Sequence, residues 1–407
     1  MQLGAMRDVY VFETLRTPRG AGRSGGALSG VTPIALLGGL LRELARRTRL
    51  GTAQVSEAII GCVTQTGEQG GNVGKSAALE AGWSDSVSVA TVNHFCASSL
   101  WAFNMAVARI ATGDEIMVAG GVESMSRVPK ASDQPPFLCD PATVQRLHTP
   151  PMGISADAIA TLHGIRRDEA DAYAVQSQQR AARARTDGRF SRSLVPVADS
   201  DGHVVLEQDE TIRPGASVEK LLTLTPYFAE IGGKWADALV RTCYPQLEHI
   251  EHIHHAGNSP AMADGASVAL LGSAAAGAAV GLRPRARVLA TAVHSDEHVI
   301  ALNGALEATR RALGRAGLVP DDIDLFEVNE AFAAPTLVYA RTLGVPLDRL
   351  NVNGGAIALG HAMGATGTTL VGTLIDELLR RRASHGVVAV SGALGLGAAA
   401  VIEALPS

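Results

Sequence analysis

Two distant stretches of this chain repeat one order of elements, and that repeat constrains the fold more than any other feature. Toward the N-terminus, "SEAIIGCVTQ" precedes Val92 and Asn93, a run of small residues ("CASSLWAFNMAVARIA") and "DEIMVAGGVESM". Toward the C-terminus, "DIDLFEVNEA" precedes Val352 and Asn353, a similar small-residue run and "GVVAVSGALGLG". Short apolar runs bounded by glycines and polar residues read as buried strands, here alternating with helices. Four elements in matched order predict an internal duplication: two α/β halves on mostly buried sheets.

Other segments fill in the halves. Residues 7–12 (RDVYVF) read as a strand. Residues 32–49 read as a helix ending in Arg46, Arg47 and Arg49, cations at the negative end of its dipole. "ASVALLGS" and "RARVLATAVH" are further strands and "ALEATRRALGRAGL" a further helix. Between about 126 and 255 the buried runs disappear while proline, arginine and glutamine rise. There "RDEADAYAVQSQQRAARARTDGRF" predicts an amphipathic helix on an inserted, mostly surface-lying subdomain. The expected division is 1–125 with 256–275 as the first half, 126–255 as the insert, and 276–407 as the second half.

Bulk properties exclude several classes. With 407 residues, 46% hydrophobic and 18% charged, the chain can build large cores and is not disordered. A net charge of -5 without runs of one sign argues against a nucleic-acid surface or a polybasic membrane patch. The N-terminal stretch is polar where a signal peptide would be apolar, and no apolar run reaches a membrane-spanning length. Cys62, Cys96, Cys139 and Cys243 form no CxxC pair, which fits a reducing compartment, and the C-terminal ALPS is no peroxisomal address. A cytoplasmic protein is expected.

Chemistry concentrates at three places. Cys96 falls where a strand gives way to a helix, so free N–H groups and the helix dipole are expected to favour its nucleophilic thiolate form. His361 sits in "NGGAIALGHAMGATG", a loop whose glycines let backbone approach a ligand, and an imidazole there can take a thiol proton. Asn329 and Glu330 are polar residues closing an apolar run. The histidines at 249, 252, 254 and 255 lack metalloprotease spacing and paired cysteines, so no metal is expected. "GALGLG" lacks the strand–helix–acid context of a dinucleotide loop, and neither a GxSxG elbow nor a Walker loop occurs.

Taken together, "VNHFCASSLWA", "GGVESMSRVP", "HHAGNSPAMADGA", "NEAFA" and "NVNGGAIALGHAMGATG" resemble the thiolases, in order and at matching separations across nearly the whole chain. Within that family the motifs resemble those of bacterial 3-ketoacyl-CoA thiolases and acetyl-CoA acetyltransferases. The resemblance implies a five-layered αβαβα fold from two duplicated halves, with a loop domain covering coenzyme A, assembled as dimers or tetramers. It implies CoA and acyl-CoA as substrates, with no permanently bound cofactor. Cys96 would be the acylated nucleophile and His361 its base, with Asn329 holding a water at the thioester oxygen. The backbone N–H groups of Cys96 and Ala393 would form a second oxyanion site. Met152, Ala256, Ser259, Ala331 and Phe332 would line the channel for the pantetheine arm and acyl chain.

The sequence departs from that family at one chemically important position. Ser391 stands where the family has its second acid/base cysteine, which exchanges a proton with the incoming CoA thiol or the acetyl α-carbon. A thiol, with an ordinary pKa of about 8.5, exchanges protons near neutrality, whereas a hydroxyl needs another base behind it. Ala362 also replaces the proline that usually follows the histidine, and Pro260 a common serine. These changes bear on the carbon–carbon step. They leave open a specialised acyltransferase or thioesterase-like enzyme that loads Cys96 without efficient carbon–carbon chemistry, and a binding protein with little turnover.

Overall fold

The computed structural model describes residues 7–406. Met1–Met6 and Ser407, which belong to the termini read above for a leader and an address, lie outside it. Nine strands carry the fold: β1 (Val9–Arg16), β2 (Glu57–Gly61), β3 (Ser88–Val92), β4 (Ile116–Ser124), β5 (Ala263–Gly272), β6 (Ala286–Ser295), β7 (Leu325–Val328), β8 (His385–Ser391) and β9 (Leu396–Ala404). They lie in the order β7-β8-β9-β6-β1-β5-β4-β2-β3, with Gly20–Ala21 adding a short pairing to β5. The strands of the two halves are joined where Val9–Val11 of β1 pairs with Ala286–Val288 of β6.

Side-chain alternation along the strands sorts this sheet into five layers. The helices that use it are α1 (Pro33–Thr48), α2 (Val73–Glu80), α3 (Ser98–Thr112), α4 (Met152–Leu162), α5 (Arg167–Thr186), α6 (Gly304–Ala316), α7 (Ala333–Leu343) and α8 (Thr366–Arg381). On β2, Ala58 and Ile60 face a core with α1 and α2, whereas Ile59 faces α3. On β8, Val387 and Ala389 face α6, whereas Val388 and Val390 face α8. Helices α3 and α8 thus form the middle layer between the two halves of the sheet. Their contact is close enough that a Cβ on Gly367 would stand 2.3 Å from the Leu100 nitrogen, which is why small residues crowd both helices.

Local chemistry sets the element ends. Thr32 caps α1 by accepting from the Ala35 N–H, Pro33 opens it, and Arg46 and Arg47 close it. The duplication is imperfect. The counterpart of edge strand β3 shrinks to a single bridge between Phe326 and Leu350, and the expected Val352–Asn353 element is a turn. The stretch expected to lie mostly at the surface instead builds a core. Ile154 and Ile159 of α4 and Tyr173 of α5 pack with Ala333 and Leu337 of α7. None of the described helices is long and apolar enough to cross a membrane.

Candidate active site

Beyond β3 the chain makes a tight turn into α3. The Asn93 carboxamide accepts from the Phe95 N–H (2.8 Å) and donates to the Val63 carbonyl (3.0 Å). The Ser98 hydroxyl donates to the Phe95 carbonyl and accepts from the His94 N–H. These bonds hold Phe95 at φ 50°, a left-handed conformation uncommon for a bulky residue, and present Cys96 at the helix start. Cys96 lines a cavity of about 210 Å³ together with Met152 and Ala393.

Burial outweighs the helix start in setting the thiol's acidity. Desolvation pushes Cys96 up to about 11; the Lys130 ammonium pulls it down and Glu123 adds to the rise. The resting group is therefore a neutral thiol, against the expectation of a helix-stabilised thiolate. Alkylation by iodoacetamide should accelerate about tenfold per pH unit from neutrality to roughly pH 10, as the thiolate fraction grows. A rate already level at pH 8 would contradict this.

His361 is fixed from both sides. Its N–H donates to the Ala261 carbonyl, and Gly360 before it takes φ 85°, where a Cβ would also press on Ala263 at 2.9 Å. The Thr366 hydroxyl donates to the Ala362 carbonyl (3.1 Å), so it accepts from Nδ1–H of His361 at 2.9 Å. That assigns the proton to Nδ1 and leaves a lone pair on Nε2, which is buried without a protein partner. Burial, followed by the Arg19 and Lys130 cations, pushes the imidazole down to about 3, so it is neutral at working pH. The Asn329 carboxamide is likewise buried, with neither polar atom partnered.

Buried Glu123 ties the histidine loop to the cysteine cavity. Its carboxylate accepts from the N–H groups of Gly364, Val63 and Thr64 and from the Gln69 amide. Val63, Thr64 and Met363 all line the cavity that holds Cys96. A second cavity of about 360 Å³ shares Lys130, Leu138 and Met152 with the first and adds Phe332, Phe228 and Trp235.

This arrangement can be compared with known proteins. Residues 9–238 match the family pattern "Thiolase, N-terminal domain" and residues 282–404 match "Thiolase, C-terminal domain". The chain belongs to the thiolase family. It is 37% identical to the 3-ketoacyl-CoA thiolase of Aeromonas hydrophila over 409 residues, 98% of this chain and 100% of the relative. It is also 37% identical to a beta-ketoadipyl-CoA thiolase of Escherichia coli, over 98% of this chain and 100% of that one. Among solved structures, the Bacillus anthracis acetyl-CoA acetyltransferase superposes with a TM-score of 0.85 at 32% identity, covering 98% of this chain and 100% of that one. Human mitochondrial 3-ketoacyl-CoA thiolase gives 0.85 at 29% identity with the same coverage. The layered architecture is the thiolase fold.

Within this thiolase fold, Ser391 does not stand free. Its hydroxyl donates to the Leu302 carbonyl (2.7 Å) and accepts from the Ala305 N–H (3.0 Å), so it caps the start of α6. Ser391→Ala should cost about 1–3 kcal/mol by leaving two buried backbone groups unpaired. Acylation of Cys96 should change little. Thermal melting and acylation rate read side by side check this; an unchanged melt with lost acylation would assign the hydroxyl to chemistry.

The remaining expected residues divide. Met152 and Phe332 meet in the second cavity. Ala331 is buried in the α4–α5–α7 core, Ser259 has a buried hydroxyl without partner, and Ala256 is exposed. Glu330 is a structural tie, accepting from Tyr173 and Ser177 of α5, from Asn351 and from the Ile357 N–H. His252 and His254 engage Asp157, His255 engages Asp171, and His249 is exposed. Among the arginines of α5, Arg167 and Arg180 donate to backbone carbonyls. Sequence reading missed Glu123, Thr366 and Lys130. Only Glu123 carried a signal, as a lone acid inside the apolar run "IMVAGGVES".

Proposed function

We propose that this chain takes an acyl group from coenzyme A onto Cys96 and passes it on as a thiolase does, by thiolytic cleavage of a 3-ketoacyl-CoA or the reverse Claisen condensation. As a member of the thiolase family it is an acyl-CoA acyltransferase. The observation that carries the roles is His361 Nε2, buried and without a protein partner, on a loop tied to the cavity of Cys96.

In the condensation direction, Cys96 Sγ attacks the thioester carbonyl carbon while its proton passes to His361 Nε2; the carbon–sulfur bond to CoA then breaks, and the imidazolium returns the proton to the leaving thiolate. In thiolysis Cys96 Sγ attacks the 3-keto carbon instead, the C2–C3 bond breaks, and the proton goes to C2 of the departing acyl-CoA. Starting from neutral thiol and neutral imidazole, no charge has to be stored in the resting site. The N–H groups of Cys96 and Ala393 face the developing oxyanion, and a water on Asn329 serves the second oxygen position; such donors contribute about 3–4 kcal/mol each. Coenzyme A and its thioesters are substrates, and the residues in these roles require no resident cofactor.

A second reading is favoured by the position of Ser391. With its hydroxyl committed to α6, activation of the acceptor falls to His361 alone, which suits transfer to a nucleophile that needs no carbanion. Adding CoA to a 3-ketoacyl-CoA and following loss of the 3-ketoacyl absorbance separates the two. Cleavage into two acyl-CoAs supports the thiolase reaction. Acylated Cys96 without cleavage supports the second reading, and no acylation contradicts both.

A further inference from the structure

We propose that Phe95 and Phe137, meeting edge to face in the Cys96 cavity, cap the length of the acyl group and select short, uncharged acyl chains. This rests on the reading of Cys96 as the acyl carrier. The two rings lie with centroids 5.4 Å apart and planes at 76°, a favourable aromatic geometry, and both line the cavity.

The backbone points to a purpose for Phe95. At φ 50° a glycine would sit without strain, whereas a side chain there costs on the order of 1–2 kcal/mol. A bulky ring kept at a strained position next to the nucleophile contributes something the backbone does not need. It forms a wall.

Both halves of the wall are anchored. Phe95 is held through its N–H by Asn93 and through its carbonyl by Ser98. Phe137 comes from the segment between β4 and α4, where the buried Thr149 hydroxyl donates to its carbonyl at 2.8 Å. These bonds fix the backbone from which each ring projects. Leu138, Met152 and Met363 make the neighbouring surface apolar. The charged groups on the cavity are Lys130 and Asp133, of opposite sign, which gives an anionic acyl terminus no net attraction. A cavity of about 210 Å³ with these two rings in its lining favours a short chain over a long one.

The test uses saturated acyl-CoAs from butyryl- to dodecanoyl-CoA with the full chain, reading the rate of Cys96 acylation by intact mass. The unaltered protein should favour the short members. Phe137→Ala should raise the long-to-short ratio of rates by about tenfold or more, the scale on which pockets discriminate chain length. Phe95→Leu, on the other side of the wall, should move the ratio the same way by less, and it carries the test if Phe137→Ala does not fold. An unaltered protein that takes long chains as fast as short ones, or folded variants whose ratio stays put, would overturn the wall. Absence of acylation by every chain would instead overturn the assignment of Cys96.

Discussion

Cys96→Ser should abolish acyl labelling while leaving the fold intact. A serine hydroxyl is far less acidic than a thiol and its oxyanion forms only with a strong base behind it, whereas His361 is a weak base held neutral by burial. Removing the nucleophile from a site of this kind costs at least about 10,000-fold in turnover. The side chain is part of no hydrogen-bonded network among the described residues, and serine is nearly the same size, so the melting temperature should barely move. Incubation with an acyl-CoA followed by intact mass reads the outcome. Labelling that persists in the variant would move the nucleophile elsewhere.

The largest expected loss of stability is at Asp209. Arg16 donates to both of its oxygens at 2.7 and 2.8 Å, and the Arg19 N–H donates to one of them at 2.9 Å, all out of solvent. The Arg16 guanidinium also lies over the Phe190 ring. Asp209→Ala would leave Arg16 buried and unpaired, at a cost of about 3–5 kcal/mol. It would also loosen the segment after α5 from β1, because Asp209 is one of the groups that join them, beside the Arg192–Glu13 pair. Denaturant unfolding with the midpoint compared to Asp209→Asn checks this, and a loss below about 1 kcal/mol would make the pair an exposed-type bridge in energy. Burial pushes this carboxyl up, but Arg16 and Arg19 pull it below the usual carboxylate range. A depressed folded pKa means its contribution is present above the unfolded value of about 3.9 and is lost as pH falls further.

Much of this could be read in the chain because local patterns and tertiary structure agree. Buried strands such as Glu57–Gly61 and Ile116–Ser124 are apolar on both faces, as layers covered on two sides require. The cysteine turn and the glycine loop around His361 are local too. What stayed hidden depends on partners distant in sequence. Nothing near Ser391 announces that its hydroxyl will bind Leu302 and Ala305, since those partners are backbone atoms of another element. The pattern of α5 was misleading because Tyr173, Ser177 and Gln178 look like a solvated face yet are buried against Glu330 and Ile357. Likewise the acidity of Cys96 follows burial, which the helix-start pattern does not report.

The central claim concerns a thioester formed on one sulfur. Rapid mixing with an acyl-CoA, acid quench and mass mapping of the proteolytic peptides should place one acyl group on Cys96, with one equivalent of free CoA released per chain. An acyl group found on any other residue, or CoA release without an adduct, would contradict it.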